Sequence, residues 1–331
     1  VSSAASDVYK RQGKKMTVCQ LYAKQMRHRG NVRYNTKNGR KRLMKLLEED
    51  KLGGCPIDSV KLSDAKEWAI RMKEKGISYK TISNDKRSLK AAFYTAIQDD
   101  CIRKNPFDFQ LNTVIEDDTE PKVPLTPAQE ESFLSFAQND KVYQKYYDEL
   151  IILLGTGLRI SELCGLTDTD IDFENRIINV DHQLLRSAET GYYIETPKTK
   201  SGIRQIPMSE KVYEAFNRVL KRRRGAKAVT IDGYSNFLFL NRDGYPKTAT
   251  NYDGMFRGLA KKYNKYHEEA LPKVMTPHTL RHTFCTNMAN AGMNPKALQY
   301  IMGHSNITMT LNYYAHATFD SAKAEMLRIA A

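Results

Sequence analysis

No run of eighteen apolar residues occurs anywhere in the chain, and no amphipathic basic helix stands out, so membrane spanning and membrane-surface binding are disfavoured. The five cysteines, Cys19, Cys55, Cys101, Cys164 and Cys285, are odd in number, widely spaced and without a CxxC pair. They read as free thiols in a reducing compartment, not as a disulfide framework or a zinc site. Gly155-Thr156-Gly157 lacks the third glycine of a dinucleotide-binding turn and sits in no strand-to-helix unit. His278 and His282 are spaced i,i+4, but Thr279 stands where a zinc protease needs glutamate, so zinc is set aside. No cluster of carboxylates suited to metal ions is apparent, and neither a metal nor another cofactor is expected. The chain also lacks an initiator methionine. Residues 1–13 are polar and aperiodic and read as a tail, a scar or a truncation edge.

What the chain does have is positive charge. A formal charge of +14 and a pI near 9.4 point to a polyanionic partner, because clustered Lys and Arg gain from neutralising phosphates and releasing counterions. Ribosomal and membrane-surface proteins share this balance, so it does not choose among them. The length of 331 residues suggests two domains, and 41% hydrophobic residues suffice for ordinary cores.

Residues 14–118 read as a helical bundle. Val18, Leu21, Tyr22 and Met26 keep a 3.6-residue period, and Leu43, Leu46 and Leu47 resume it after a basic stretch. Ser63-Asp64 marks a helix start, and Ser78 caps another helix whose Ile82, Leu89, Phe93 and Ile97 line one side. Lys80, Lys86, Arg87 and Lys90 line another side of it, which in a lone helix is ordinarily a solvated face. An acidic, proline-bearing stretch, residues 119–126, reads as a linker. Thr126 and Pro127 then open the helix that begins a second domain, residues 127–314. Strand signals at residues 176–180, 192–194 and 203–207 give a small antiparallel sheet with Lys198 and Lys200 at a hairpin tip. Residues 236–240 read as a short buried strand. The basic run Lys221-Arg222-Arg223-Arg224 is equally well explained as helix C-terminal charge or as a DNA contact. Residues 315–331 form a short amphipathic helix, with Ala322, Met326 and Ile329 on one side, that needs something to pack on.

Residues 276–316 gather the parts for attacking a phosphodiester without a metal. His278 and Arg281 share a helix face, Gly303-His304 delivers a second histidine from a helix end, and Tyr313-Tyr314 offers a phenol as nucleophile. Upstream, Arg159 and Glu162 stand i,i+3, ordinarily a surface ion pair.

Taken together, TGLRISEL around Arg159, ETPKTKSGIRQIP, HTLRH, MGHSNITMT and a Tyr-x-His ending the set resemble the tyrosine recombinase family, closest to integrases of conjugative transposons and Gram-positive phages. The motifs occur in the family's order over residues 121–331. The resemblance implies a mainly α protein with a helical core-site DNA-binding bundle and an α+β catalytic domain. It implies Arg159, Arg281 and His304 as phosphate holders, with Glu162 orienting Arg159. His278 would position or deprotonate the tyrosine, and Lys198 rather than Lys200 would be the acid for the leaving oxygen. It turns Lys80, Lys86, Arg87, Lys90 and Lys200 into DNA-contact candidates and makes His282 structural. The Tyr-x-His match and the Thr310-Leu311 register select Tyr314, ten residues after His304, over Tyr313, nine after it. Double-stranded DNA, a DNA-assembled homo-tetramer and an accessory directionality factor are the implied partners, in a bacterial, nucleoid-associated cytoplasmic setting, with residues 315–331 docking on a neighbouring protomer. Many family members carry a further N-terminal arm-binding domain, and nothing here reads as one. A tyrosine-type topoisomerase and a non-cleaving DNA-binding relic are the alternatives.

Overall fold

The computed structural model describes residues 15–30, 32–120, 123–197, 199–223, 229–314 and 326–327. The chain divides into two units, Val1–Pro121 and Lys122–Ala331, each with its own core.

Among the described residues, four α-helices make the first unit: α1 (Val18–His28), α2 (Tyr34–Glu48), α3 (Leu62–Glu74) and α4 (Tyr79–Gln98). Thr17 starts α1 through a reciprocal cap, its hydroxyl accepting from the Gln20 amide while the Gln20 side chain accepts from the Thr17 amide. Ser78 caps α4 as its position predicts, accepting from Thr81 N. The start of α3 differs from expectation. The helix begins at Leu62, and Asp64 reaches back from the third position to accept from Lys61 N, so a first-turn carboxylate replaces the expected Ser63-Asp64 boundary. Trp68 packs edge-on against Phe107, and with Phe93, Leu47 and Leu89 it forms a core closed to solvent. Ile97, at the far end of α4, is only half-buried.

In the second unit Thr126 and Pro127 start α5 (Pro127–Asn139) with the expected capping box. The central helix is α6 (Tyr147–Thr156), whose Leu150, Ile152 and Leu153 are fully buried. It is flanked by α8 (Glu210–Arg223) and α10 (Pro277–Asn290). Gly155 belongs to α6 and not to a turn. Its missing side chain admits Val212, since a Cβ there would come within 2.4 Å of a Val212 methyl. Gly157 alone makes the reversal, at φ +62°. The short α7 (Ile160–Gly165) follows at once.

The strands depart from the expected single sheet. β1 (Ile171–Asp172), β2 (Ile177–Val180) and β5 (Arg204–Pro207) pair antiparallel with Ile178 opposite Ile206. Separately, β3 (Gln183–Ser187) and β4 (Gly191–Glu195) form a two-stranded hairpin. The sequence reading missed β3, so it paired β4 with β5. Lys200 therefore lies on a connection between two sheets, in the one-turn 3₁₀ segment Lys200–Gly202, and not at a hairpin tip. Lys198 falls outside the described residues. Residues 236–240 are no strand of a sheet: single bridges, Thr167 to Phe237 and Leu240 to Pro246, and backbone hydrogen bonds to Leu166, Asp168 and Lys247 tie them down. Asn236 at φ +59° breaks the extension, and Phe237, Leu238 and Phe239 are all buried in succession.

Among the described residues three further helices belong to the unit: α9 (Ala249–Tyr266), α11 (Pro295–Met302) and α12 (Thr308–Leu311). Of the arginine run, Arg222 pairs with buried Asp148 at 2.7 Å and Arg223 donates to the Phe237 carbonyl, while Arg224 lies outside the described residues. Ala322 and Ile329 of the expected tail helix also lie outside them, and Met326 is exposed. Among the described residues no helix is long and apolar enough to cross a membrane.

Candidate active site

Gly157 sets the site by turning the chain so that Arg159 becomes the residue before α7. The Arg159 backbone amide and guanidinium both donate to Glu162, at 2.8 and 2.7 Å, and the guanidinium also donates to the Gly303 carbonyl at 3.0 Å. This is not the ordinary surface ion pair. Glu162 is only 3% exposed and takes a second arginine, Arg204, in a fork-to-fork pair at 3.0 and 2.9 Å. Burial alone would raise the Glu162 carboxyl. The Arg204 hydrogen bonds and the charges of Arg204, Arg159 and Arg281 overcome it and hold the group at about 2.

Arg281 comes from the opposite side, on α10. It is 4% exposed and donates to the carbonyls of Gly157 and Met302, so it bridges the end of α6 to the end of α11. Burial, then repulsion from Arg159, lowers its pKa to about 9. Gly303 ends α11 at φ +60°, as a left-handed helix cap, and His304 follows into the site. His304 is buried. Its Nδ1 lies 2.9 Å from Thr310 Oγ1, and burial together with Arg281, Arg159, Arg204 and His278 lowers its pKa to about 4. The imidazole is therefore neutral near pH 7. His278 is exposed in the first turn of α10 and contributes to the field on His304.

The structure thus brings together Arg159, Glu162, Arg281, His304 and His278. Three guanidinium groups and one carboxylate leave a net excess of positive charge, held by backbone carbonyls and poised for an anion. Arg204 is the member that sequence reasoning missed. The signal was present in the strand's period of two, which puts Arg204 on the same face as core residue Ile206 while Ile203 and Gln205 face out.

The two tyrosines differ in setting. The Tyr313 ring meets His282 edge-on at 4.9 Å, and Arg281 acts on it against burial, which raises its hydroxyl. Tyr314 donates its hydroxyl to the Met293 carbonyl, and burial, then the charge of Cys285, raises it. Lys200 is exposed. Of the bundle's candidate DNA contacts, Lys80 and Arg87 are exposed. Lys86 instead donates to the Phe109 carbonyl and covers that ring at 4.4 Å, and Lys90 pairs with Asp108 at 2.5 Å.

Residues 124–321 match the model of the Phage integrase family. The transposase from transposon Tn916 of Enterococcus faecalis is 69% identical over 317 residues, which cover 96% of this chain and 78% of that protein. A structure of the Tn1549 transposon integrase in complex with a circular intermediate DNA superposes with a TM-score of 0.91 at 78% identity, covering 95% of this chain and 99% of that one. That integrase carries an arginine-to-lysine substitution, and a second structure of it, with transposon right end DNA, carries a tyrosine-to-phenylalanine substitution 154 positions further on. A lambda integrase dimer bound to a core site shares the fold at a TM-score of 0.61 and 16% identity.

Proposed function

The chain belongs to the phage integrase, or tyrosine recombinase, family, and from that premise we propose that it cuts and rejoins DNA at specific sites to excise and integrate a mobile element. The observation that carries this reading is the convergence of Arg159, Arg281 and His304 on one place around buried Glu162. A phosphate seated there meets two guanidinium groups and a neutral imidazole, which oppose the charge that builds on its non-bridging oxygens during attack.

We assign the nucleophile to Tyr313, where spacing in the sequence had favoured Tyr314. The Tyr313 ring lies in the field of Arg281, whereas the Tyr314 hydroxyl is engaged with a carbonyl. The two substituted positions of the Tn1549 integrase are 154 apart, the separation of Arg159 from Tyr313 (313 − 159). Attack forms a bond from the phenol oxygen to phosphorus and releases the 5′-hydroxyl, leaving protein on the 3′ end. His278 takes or orients the phenol proton, and Lys198 keeps the role of protonating the leaving oxygen that the resemblance gives it. The 5′-hydroxyl of a partner strand then reverses the step, so bond energy is conserved. Exchange between two duplexes requires four such sites, which a homo-tetramer on DNA supplies, in the bacterial cytoplasm and under an accessory directionality factor. Lys80, Arg87 and Lys200 are the exposed candidates for contacting the DNA backbone.

The test is to incubate the protein with fragmented element and host DNA in EDTA and sequence the DNA trapped covalently on it. A 3′-phosphotyrosyl adduct at discrete sites is expected. A 5′ linkage, or a strict requirement for a divalent metal, overturns the mechanism.

A further inference from the structure

Arg204 is a solvent-free guanidinium, its side chain 0% exposed, on a strand whose one other buried residue is Ile206. It has no surface with which to meet a phosphate. Every hydrogen bond it makes is internal: two to the Glu162 carboxylate, one from Nε to the Ile301 carbonyl at 2.5 Å, and one to the Gly202 carbonyl at 3.0 Å. Those acceptors lie on three separate pieces of the site. Glu162 holds Arg159, Ile301 lies just before the Gly303-His304 turn, and Gly202 ends the 3₁₀ turn that opens at Lys200. A buried charge is expensive unless its partners satisfy it, so an apolar side chain would suit a merely structural strand better.

We propose that Arg204 is a positioning residue for DNA cleavage, fixing Arg159 through Glu162 and the His304 turn through Ile301. The inference rests on the recombinase reading of the site. The planar fork is what the task requires, because it can donate to both Glu162 oxygens and to the Ile301 carbonyl at once. A lysine ammonium cannot span those acceptors. The close fit at Gly303 shows the same coupling from the other side, since a Cβ there would lie 3.1 Å from the Arg204 guanidinium.

The test measures covalent adduct formation on a nicked duplex of Tn1549 transposon right-end sequence and on the fragments trapped as described above. Variants are Arg204→Met, Arg204→Lys, Glu162→Gln and the double variant Glu162→Gln/Arg204→Met. Arg204→Met should slow cleavage by about 10- to 100-fold, as loss of an orienting partner does, with duplex affinity unchanged. Arg204→Lys should recover only part of the loss. In Arg204→Met the Glu162 carboxyl keeps its burial and loses its main partner, with Arg159, Arg281 and His304 still facing it. Cleavage should therefore acquire a new acid limb that the wild type lacks and Glu162→Gln does not show. If the single variant fails to fold, the double variant removes both charges and keeps the comparison. It should be no slower than Glu162→Gln alone, because both residues act through one linkage. Losses that multiply in the double variant, or cleavage and duplex affinity falling together with no change in pH profile, would overturn the inference and leave the recombinase reading standing. A wild type that forms no adduct on either DNA would overturn both.

Discussion

At the residue scale the two adjacent tyrosines present the sharpest choice. Tyr313→Phe is expected to abolish the covalent DNA adduct while leaving DNA binding intact, because only a hydroxyl is lost. Tyr314→Phe should retain the adduct and lose only a hydrogen bond to Met293. An adduct that survives the first change and vanishes in the second reverses the assignment. Sequence spacing favoured Tyr314, although nine and ten residues after His304 are both used in the family. His304 makes a second prediction. Its folded pKa is lowered from 6.5 to about 4, so the unfolded chain binds the proton first. Its stabilising contribution is complete above the ordinary histidine range and is lost as pH falls from 6.5 toward about 4. Glu162, lowered from 4.5 to about 2, loses its contribution in a more acidic window. Melting temperature followed against pH should fall between pH 6.5 and 4.5 in the wild type and fall less in His304→Gln. Equal slopes in the two proteins would place the titration elsewhere.

At the element scale the site depends on two glycine-terminated helices. α6 ends at Gly157 and α11 at Gly303, both with positive φ, and the carbonyls beside them are acceptors for Arg281 and Arg159. At Gly303 a Cβ would also sit 3.0 Å from the Ser201 carbonyl oxygen. Gly303→Ala should cost about 1–2 kcal/mol for the left-handed conformation alone. That corresponds to a melting temperature lower by roughly 2–8 °C for a unit of this size. Cleavage should fall further than stability accounts for, because the turn carries His304. A variant that melts earlier yet cleaves at the wild-type rate would mean that the turn tolerates displacement. The helix starts at Ser78 and Thr126 were legible because each cap is a local bond between residues three apart. The pairing of strands was not. β3 has no strict alternation in its sequence, and without it β4 and β5 look like consecutive arms of one hairpin, although they belong to different sheets.

At the scale of the whole molecule, the charge of +14 over 331 residues makes DNA affinity a salt-dependent quantity. Binding to non-cognate duplex should weaken by about 10³-fold or more between 50 and 200 mM salt if several phosphates are neutralised. A flat salt response would mean that the lysines and arginines are engaged internally, as Lys86, Lys90, Arg222 and Arg223 already are. The amino-acid sequence by itself determined the family, the mainly helical fold and the caps at Ser78 and Thr126, and it pointed to Arg159, Glu162, His278, Arg281 and His304, because these are written in contiguous motifs. Only the tertiary structure decided that Glu162 is buried and takes Arg204 as well as Arg159. Glu162 and Arg204 are 42 residues apart, and Arg204 and Ile301 are 97 apart. No local pattern encodes which buried charge meets which. That pairing follows from packing α7, β5 and α11 around one carboxylate, where an unpaired charge would be too costly to keep.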